Sequence, residues 1–179
     1  MQVPLHQFMG TKISSSFFVI CICLFAFAGC RNKPQKPVVT ITHSPQELQQ
    51  KIPDIIQGYI ESAIDNNDKI DDSIILKQPR IVQIIYEKNQ FEPAWSKTGH
   101  WLLTGDSLYS FIVNAQLLGL FPGDYHVKEL TAIRERFFND TSAKADRKDA
   151  SVWSKADLLL TDAFLQIVKD VKLGRLPQD

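Results

Sequence analysis

RIVQIIYEKNQFEPAWSKTGHWLLTGDSLYSFIVNAQLLGLFPGDY, from Arg80 to Tyr125, is the stretch that decides the fold. An apolar-periodic run ends at Phe91-Glu92-Pro93-Ala94-Trp95, and a second closes on Gly119-Leu120-Phe121-Pro122-Gly123-Asp124-Tyr125. This is the pattern of a helix, an aromatic knuckle, a helix and a capped exit. The first helix begins near Lys77 with Pro79 in its first turn and ends at Asn89 and Gln90. Ile81, Ile84, Ile85 and Lys88 fall on one side of it, and Val82 and Tyr86 broaden the apolar surface. In the second, Leu108, Phe111, Ile112, Ala115 and Leu118 line one face. Thr104 or Asp106 caps it, and Gly119 sits where a left-handed terminal residue is expected. The stretch has no nucleophile beside a base, no metal cluster and no phosphate loop.

Helical periodicity continues on both sides. Upstream, Ser44 precedes Pro45, and Glu47 follows three residues after Ser44, a capping-box arrangement. Leu48, Ile52, Ile55, Ile56, Tyr59, Ile60 and Ala63 then make one apolar face, with Pro53 as a kink or break. Asn66 to Asp72 is a polar interruption. Its acidic residues lack the spacing and the glycine of a calcium loop. Downstream, Val127 to Phe138 points Leu130, Ile133 and Phe137 inward, and Asn139 to Asp149 is a charged loop. The longest helix carries Trp153, Ala156, Leu160, Ala163, Phe164, Ile167 and Val171 as a stripe and stops at Gly174. No strand alternation is long enough to build a sheet. The expected fold is all-α, a single domain of about five helices over residues 45–179.

Composition narrows the function classes. The chain has 179 residues, 44% hydrophobic and 22% charged, with twenty basic and twenty acidic residues. This balance gives no electrostatic reason to expect nucleic acid as a partner. The three cysteines, Cys21, Cys23 and Cys30, all lie in the first thirty residues. A disulfide framework, a cysteine zinc site and a cysteine nucleophile are therefore excluded from residues 31–179. His6, His43, His100 and His126 show no metal-ligand spacing. No cofactor and no metal are expected.

The first 29 residues have the form of a secretory signal. Lys12 is their only charge, the apolar core runs Phe17 to Phe27, and the small residues Ala28 and Gly29 precede Cys30. That core is too short for a membrane span of about 20 residues. Phe27-Ala28-Gly29-Cys30 resembles the bacterial lipobox, with Phe27 where leucine is usual. The resemblance implies lipidation of Cys30 and a lipid-anchored protein of the bacterial cell envelope, on the periplasmic or outer-membrane side. Residues 30–44, with Pro34, Pro37 and Pro45 at hand, read as an extended tether.

Candidate chemistry in the body is sparse. Asp124-Tyr125-His126 suggests a general base, but no nucleophile accompanies it. The simpler reading has Asp124 capping the next helix and Tyr125 packed at the corner. Asp157 and Asp162, five apart, do not share a helical face closely. Asp162 is expected to bond a neighbouring loop, or both are solvated. Phe91, Trp95 and Trp101 gather around Pro93 and, with Tyr125, form the candidate site. It is a packing corner first and a wall for sugar rings second. No residue is assigned a catalytic role.

Three motifs in order carry a family resemblance. Tyr86 on a helix precedes Phe91-Glu92-Pro93-Ala94-Trp95. A helix then leads to Gly119-Leu120-Phe121-Pro122-Gly123-Asp124-Tyr125. The last helix carries Asp157-Leu158-Leu159-Leu160-Thr161-Asp162-Ala163-Phe164 and ends at Gly174-Arg175. Over Ile52 to Asp179 the chain resembles the amino-terminal scaffold domain of large L,D-transpeptidases of the YcbB type. Such proteins cross-link peptidoglycan stem peptides through a cysteine in a separate domain with a Ser-His-Gly-Cys motif. Residues 31–179 have no such motif, so no catalytic residue carries over. The resemblance implies a lipid-anchored, non-catalytic scaffold, truncated before a catalytic domain, with peptidoglycan or such a domain as partner. The alternative is a stand-alone helical lipoprotein that binds an envelope partner or a glycan strand.

Overall fold

The structure, a computed structural model, describes residues 41–138 and 146–174. The signal, Cys30, most of the tether and Arg175 lie outside the described residues. Among the described residues five α-helices follow one another: α1 (Pro45–Asp65), α2 (Pro79–Lys88), α3 (Leu103–Val113), α4 (Val127–Phe138) and α5 (Ala150–Leu173). Between α2 and α3, β1 (Ser96–Lys97) and β2 (His100–Trp101) pair as a small antiparallel hairpin. Among the described residues the fold is all-α apart from that hairpin and two isolated bridges.

Local chemistry accounts for the helix ends. Ser44 Oγ accepts the Glu47 N–H at 3.1 Å, and Glu47 Oε2 accepts the His43 N–H at 2.8 Å. The capping box is thus shifted outward by one residue, since the glutamate satisfies the donor before the cap. Proline at the first helical position costs no hydrogen bond there. α1 passes through Pro53 as one helix of 21 residues, so Pro53 does not divide it. At α5, Asp149 caps by accepting the Ser151 N–H, and Gly174 ends the helix at φ +78°.

Packing is centred on α5. From Ala150 to Ala163 every residue except the half-buried Lys155 is buried. A stretch buried on all sides is surrounded by other elements, and α1, α2, α3, α4 and the 3-10 turn Pro122–Tyr125 all pack on it. α1 contributes Leu48, Ile52, Ile56, Tyr59, Ile60 and Ala63. Each fully buried aliphatic side chain is worth about 1.5–3 kcal/mol against exposure. From α4 come the expected Leu130, Ile133 and Phe137, the last stacked on Trp153 at 4.3 Å between ring centroids.

Several expectations are corrected. α2 buries Pro79, Val82 and Tyr86 and turns Ile81, Ile84 and Ile85 outward, because Tyr86 is drawn inward by a buried acceptor described below. α3 begins at Leu103 with no side-chain cap and ends at Val113. Ala115–Leu118 is a separate 3-10 turn that leaves Leu118 exposed and places Gly119 at φ +74°. The first hydrogen bond of α4 runs from Leu130 N–H to the His126 carbonyl. The cap position is therefore His126, and Asp124 belongs to the preceding 3-10 turn. On α5, Phe164 and Val171 lie outside the core.

Candidate functional site

Site geometry begins with three aspartates on α5. Asp157, Asp162 and Asp170 are all buried. A buried carboxylate needs donors to offset its desolvation, and each finds them on a different part of the chain.

Asp157 holds the aromatic corner. Its Oδ1 accepts the Tyr86 hydroxyl at 2.7 Å and the Ala94 N–H at 2.7 Å. Its Oδ2 accepts the Trp95 N–H at 3.0 Å and the Ser96 hydroxyl at 3.2 Å. Burial pushes this carboxyl above its ordinary range, and the four donors oppose the shift. Burial beside the same carboxylate places the Tyr86 phenol well above its usual value, so Tyr86 stays a neutral donor. One turn on, Thr161 Oγ1 bonds the Tyr86 hydroxyl and accepts the Trp95 indole N–H, both at 2.8 Å. Trp95 also leans on Phe164, with ring centroids 5.9 Å apart.

The corner also has a steric seat. A Cβ on Gly105, in the first turn of α3, would stand 2.8 Å from the Trp95 carbonyl oxygen. Only glycine lets the helix approach the corner this closely.

Asp162 holds two other segments. Its carboxylate accepts the Lys77 and Gln78 N–H groups at 2.9–3.0 Å, at the entrance to α2. His126 Nε2 lies 2.7 Å from Oδ2. Asp124 is thus not the residue that meets His126 Nε2. No serine, threonine or cysteine among the described residues pairs with His126, so the pair lacks the third member of a nucleophilic site. It works as a brace. Asp170, for its part, accepts the Tyr125 hydroxyl at 2.9 Å.

The predicted aromatic residues thus divide. Trp95 is locked into the Asp157 corner, Phe91 packs against the core nearby, and Tyr125 is fully buried on α5. Trp101 lies apart, edge-on to Tyr109 at 5.7 Å. The Arg134 guanidinium sits 5.1 Å from the Trp101 ring and bonds Asp106 Oδ1 at 2.6 Å. Trp101 lines a cavity of about 420 Å³, together with Leu48, Phe137, Phe138, Arg147 and Trp153. Its indole Nε1 is buried without an acceptor and out of reach of solvent, so the cavity meets the ring and not the donor.

Asp162 bonds the segment before α2, as the sequence led one to expect, whereas Asp157 is buried and paired rather than solvated, and the role of Asp170 was not foreseen. A signal was present: acids set among the apolar residues of the last helix must be paired if they are buried. Elsewhere, Asp71 bonds the Ser73 and Ile74 N–H groups and meets Lys155 Nζ at 2.8 Å. Burial raises the Asp71 carboxyl, but Lys155 and the two N–H donors together pull it below its ordinary value. This arrangement makes the acidic loop a brace as well. Among the described residues no group of acids, histidines or cysteines could hold a metal. No described helix is long and apolar enough to cross a membrane.

Comparison with known proteins gives one match. The family model described as "Scaffold domain" matches residues 80–179, which includes the aromatic corner, the His126 brace and all of α5. No curated protein and no solved structure matches.

Proposed function

Because the chain belongs to the Scaffold domain family, the amino-terminal scaffold of L,D-transpeptidases, we propose that it is a non-catalytic frame that holds a transpeptidase catalytic domain at the bacterial cell wall, in peptidoglycan cross-linking. The family match carries the reading, and the site chemistry agrees with it. Each polar cluster on α5 fixes a loop or helix, and none presents a nucleophile. Thiolate chemistry has no cysteine to start from in residues 31–179.

A surface for the catalytic domain is at hand. On α5, Phe164, Val168 and Val171 follow at positions i, i+4 and i+7 and are 44%, 45% and 68% exposed. This row continues the helix past the turns that Tyr86 and Trp95 cover. Exposed apolar rows of this kind mark contact surfaces. A lipid on Cys30 would keep the assembly at a membrane.

The cavity beside Trp101 favours a second reading, in which the chain binds a glycan strand or an envelope partner itself. One experiment separates the two. The purified chain is mixed with a purified L,D-transpeptidase catalytic domain, or with isolated peptidoglycan, and co-sedimentation is measured. A scaffold retains the catalytic domain, and Val168→Asp with Val171→Asp abolishes retention. Peptidoglycan binding that is lost on Trp101→Ala, at unchanged helicity, selects the second reading. Cross-linking by the chain alone would overturn both.

A further inference from the structure

The outward face of α2 is unused by the scaffold chemistry. Ile81, Ile84 and Ile85 are 45%, 51% and 36% exposed, and Lys88 continues the same row. Arg80 and Lys77 lie exposed beside them, and none of the three cations forms an ion pair with a described residue. Glu87 is the acid on this helix, and it accepts a hydrogen bond from Gln83. Helix propensity does not require three adjacent exposed isoleucines, and their solvent contact is unfavourable.

We propose that this face docks on an anionic lipid surface. The proposal rests on the lipid-anchored reading above. A protein partner fits the face poorly, because lysine is depleted from the centre of protein interfaces and Lys88 stands in the isoleucine row. A bilayer interface favours this pattern, with apolar side chains in the headgroup region and cations flanking them. The tether agrees in charge: residues 31–40 carry Arg31, Lys33 and Lys36 and no acid. It also agrees in reach, since ten residues span at most about 36 Å, which keeps the fold near the surface that holds Cys30.

Magnitudes define what the face does. Each Lys or Arg near an anionic surface strengthens binding about five-fold. Three cations opposed by Glu87 then give an enhancement on the order of ten- to a hundred-fold. This is too weak to recruit a free protein. It is enough to orient one already tethered, where the local concentration is roughly millimolar. The docked face would set the height and rotation of the α5 surface above the membrane.

The test uses residues 31–179, which contain the whole described core and no cysteine. An amino-terminal histidine tag on nickel-chelating lipid replaces the native anchor, so the outcome does not depend on Cys30. A separate measurement, palmitate incorporation at Cys30 in cells, tests the anchor itself. Ile84→Cys carries a single NBD fluorophore, with Glu61→Cys as control. The Ile84 label is expected to shift to the blue on vesicles containing phosphatidylglycerol, and the Glu61 label is expected to stay unchanged. Arg80→Gln with Lys88→Gln should weaken the response roughly twenty-five-fold. Three outcomes overturn the proposal: no shift on anionic vesicles, an equal shift on pure phosphatidylcholine, or a concentration-dependent shift without vesicles. The last would assign the face to a second copy of the chain.

Discussion

Asp157 and Asp162 are five residues apart on one helix and equally shielded from water, yet they serve different parts of the molecule. Five residues turn an α-helix by about 140°, so the two carboxylates leave α5 on different sides. Asp157 meets only uncharged donors: two backbone N–H groups, a phenol and a serine hydroxyl. Asp162 meets two backbone N–H groups and an imidazole. The first fastens a corner that has no regular structure of its own. The second joins the entrances of two helices, α2 and α4. α5 thus positions α2 and α4 through side-chain acceptors, and α1 and α3 through packing.

The largest effect is expected at Asp157. Replacement by alanine leaves four donors facing an apolar helix, and breaking such a buried set costs about 3–5 kcal/mol. Urea denaturation followed by circular dichroism reads this directly. A loss below about 1 kcal/mol would mean that water reaches the corner and replaces the carboxylate. Asp162→Asn is gentler. The amide oxygen can still accept from the entrance of α2, while the bond to His126 changes character, so the cost is about 2 kcal/mol. If Asp162→Asn costs as much as Asp157→Ala, the two braces do not differ in kind.

The smallest effect is a pH dependence at Asp157. Its carboxyl is raised by burial above the unfolded value of about 3.9. A raised group contributes stability that is fully present below that value and is lost as pH rises through the folded one. The stability gap between the native chain and Asp157→Asn should therefore be wider at pH 4 than at pH 7. A gap that widens toward neutral pH would falsify the assignment of burial as the dominant cause.

Much of the fold was legible from periodicity and capping. The α1 cap at Ser44, the inward residues of α4 and the stop of α5 at Gly174 all follow local rules. The orientation of α2 did not, because three isoleucines outweigh one tyrosine in hydropathy. The tyrosine wins through a hydroxyl partner 71 residues away, which no local pattern reveals. The hairpin at Ser96–Trp101 lies outside the helical pattern, although its turn carries a local signal. Thr98 and Gly99 both take positive φ, at +49° and +76°, which suits a two-residue turn. At the candidate site, the aromatic residues were visible but their division was not. Trp95 and Trp101 are six residues apart, and the hairpin sends one into the corner and the other to the cavity wall.

The described chain also enters and leaves by way of the same helix. Ile41 bridges to Asp149, and the Thr42 N–H bonds the Lys148 carbonyl at 2.7 Å, beside the first turn of α5. Gly174 departs from its last turn, 24 residues and about 36 Å further on. Mechanically, α5 is a strut in series with the chain. A pull between the two ends runs along its axis and reaches the upstream segment through the short bridge at Ile41 and Thr42. The bundle around α5 is then bypassed by the tension, and the loops that the aspartates hold keep their places while the ends are drawn apart.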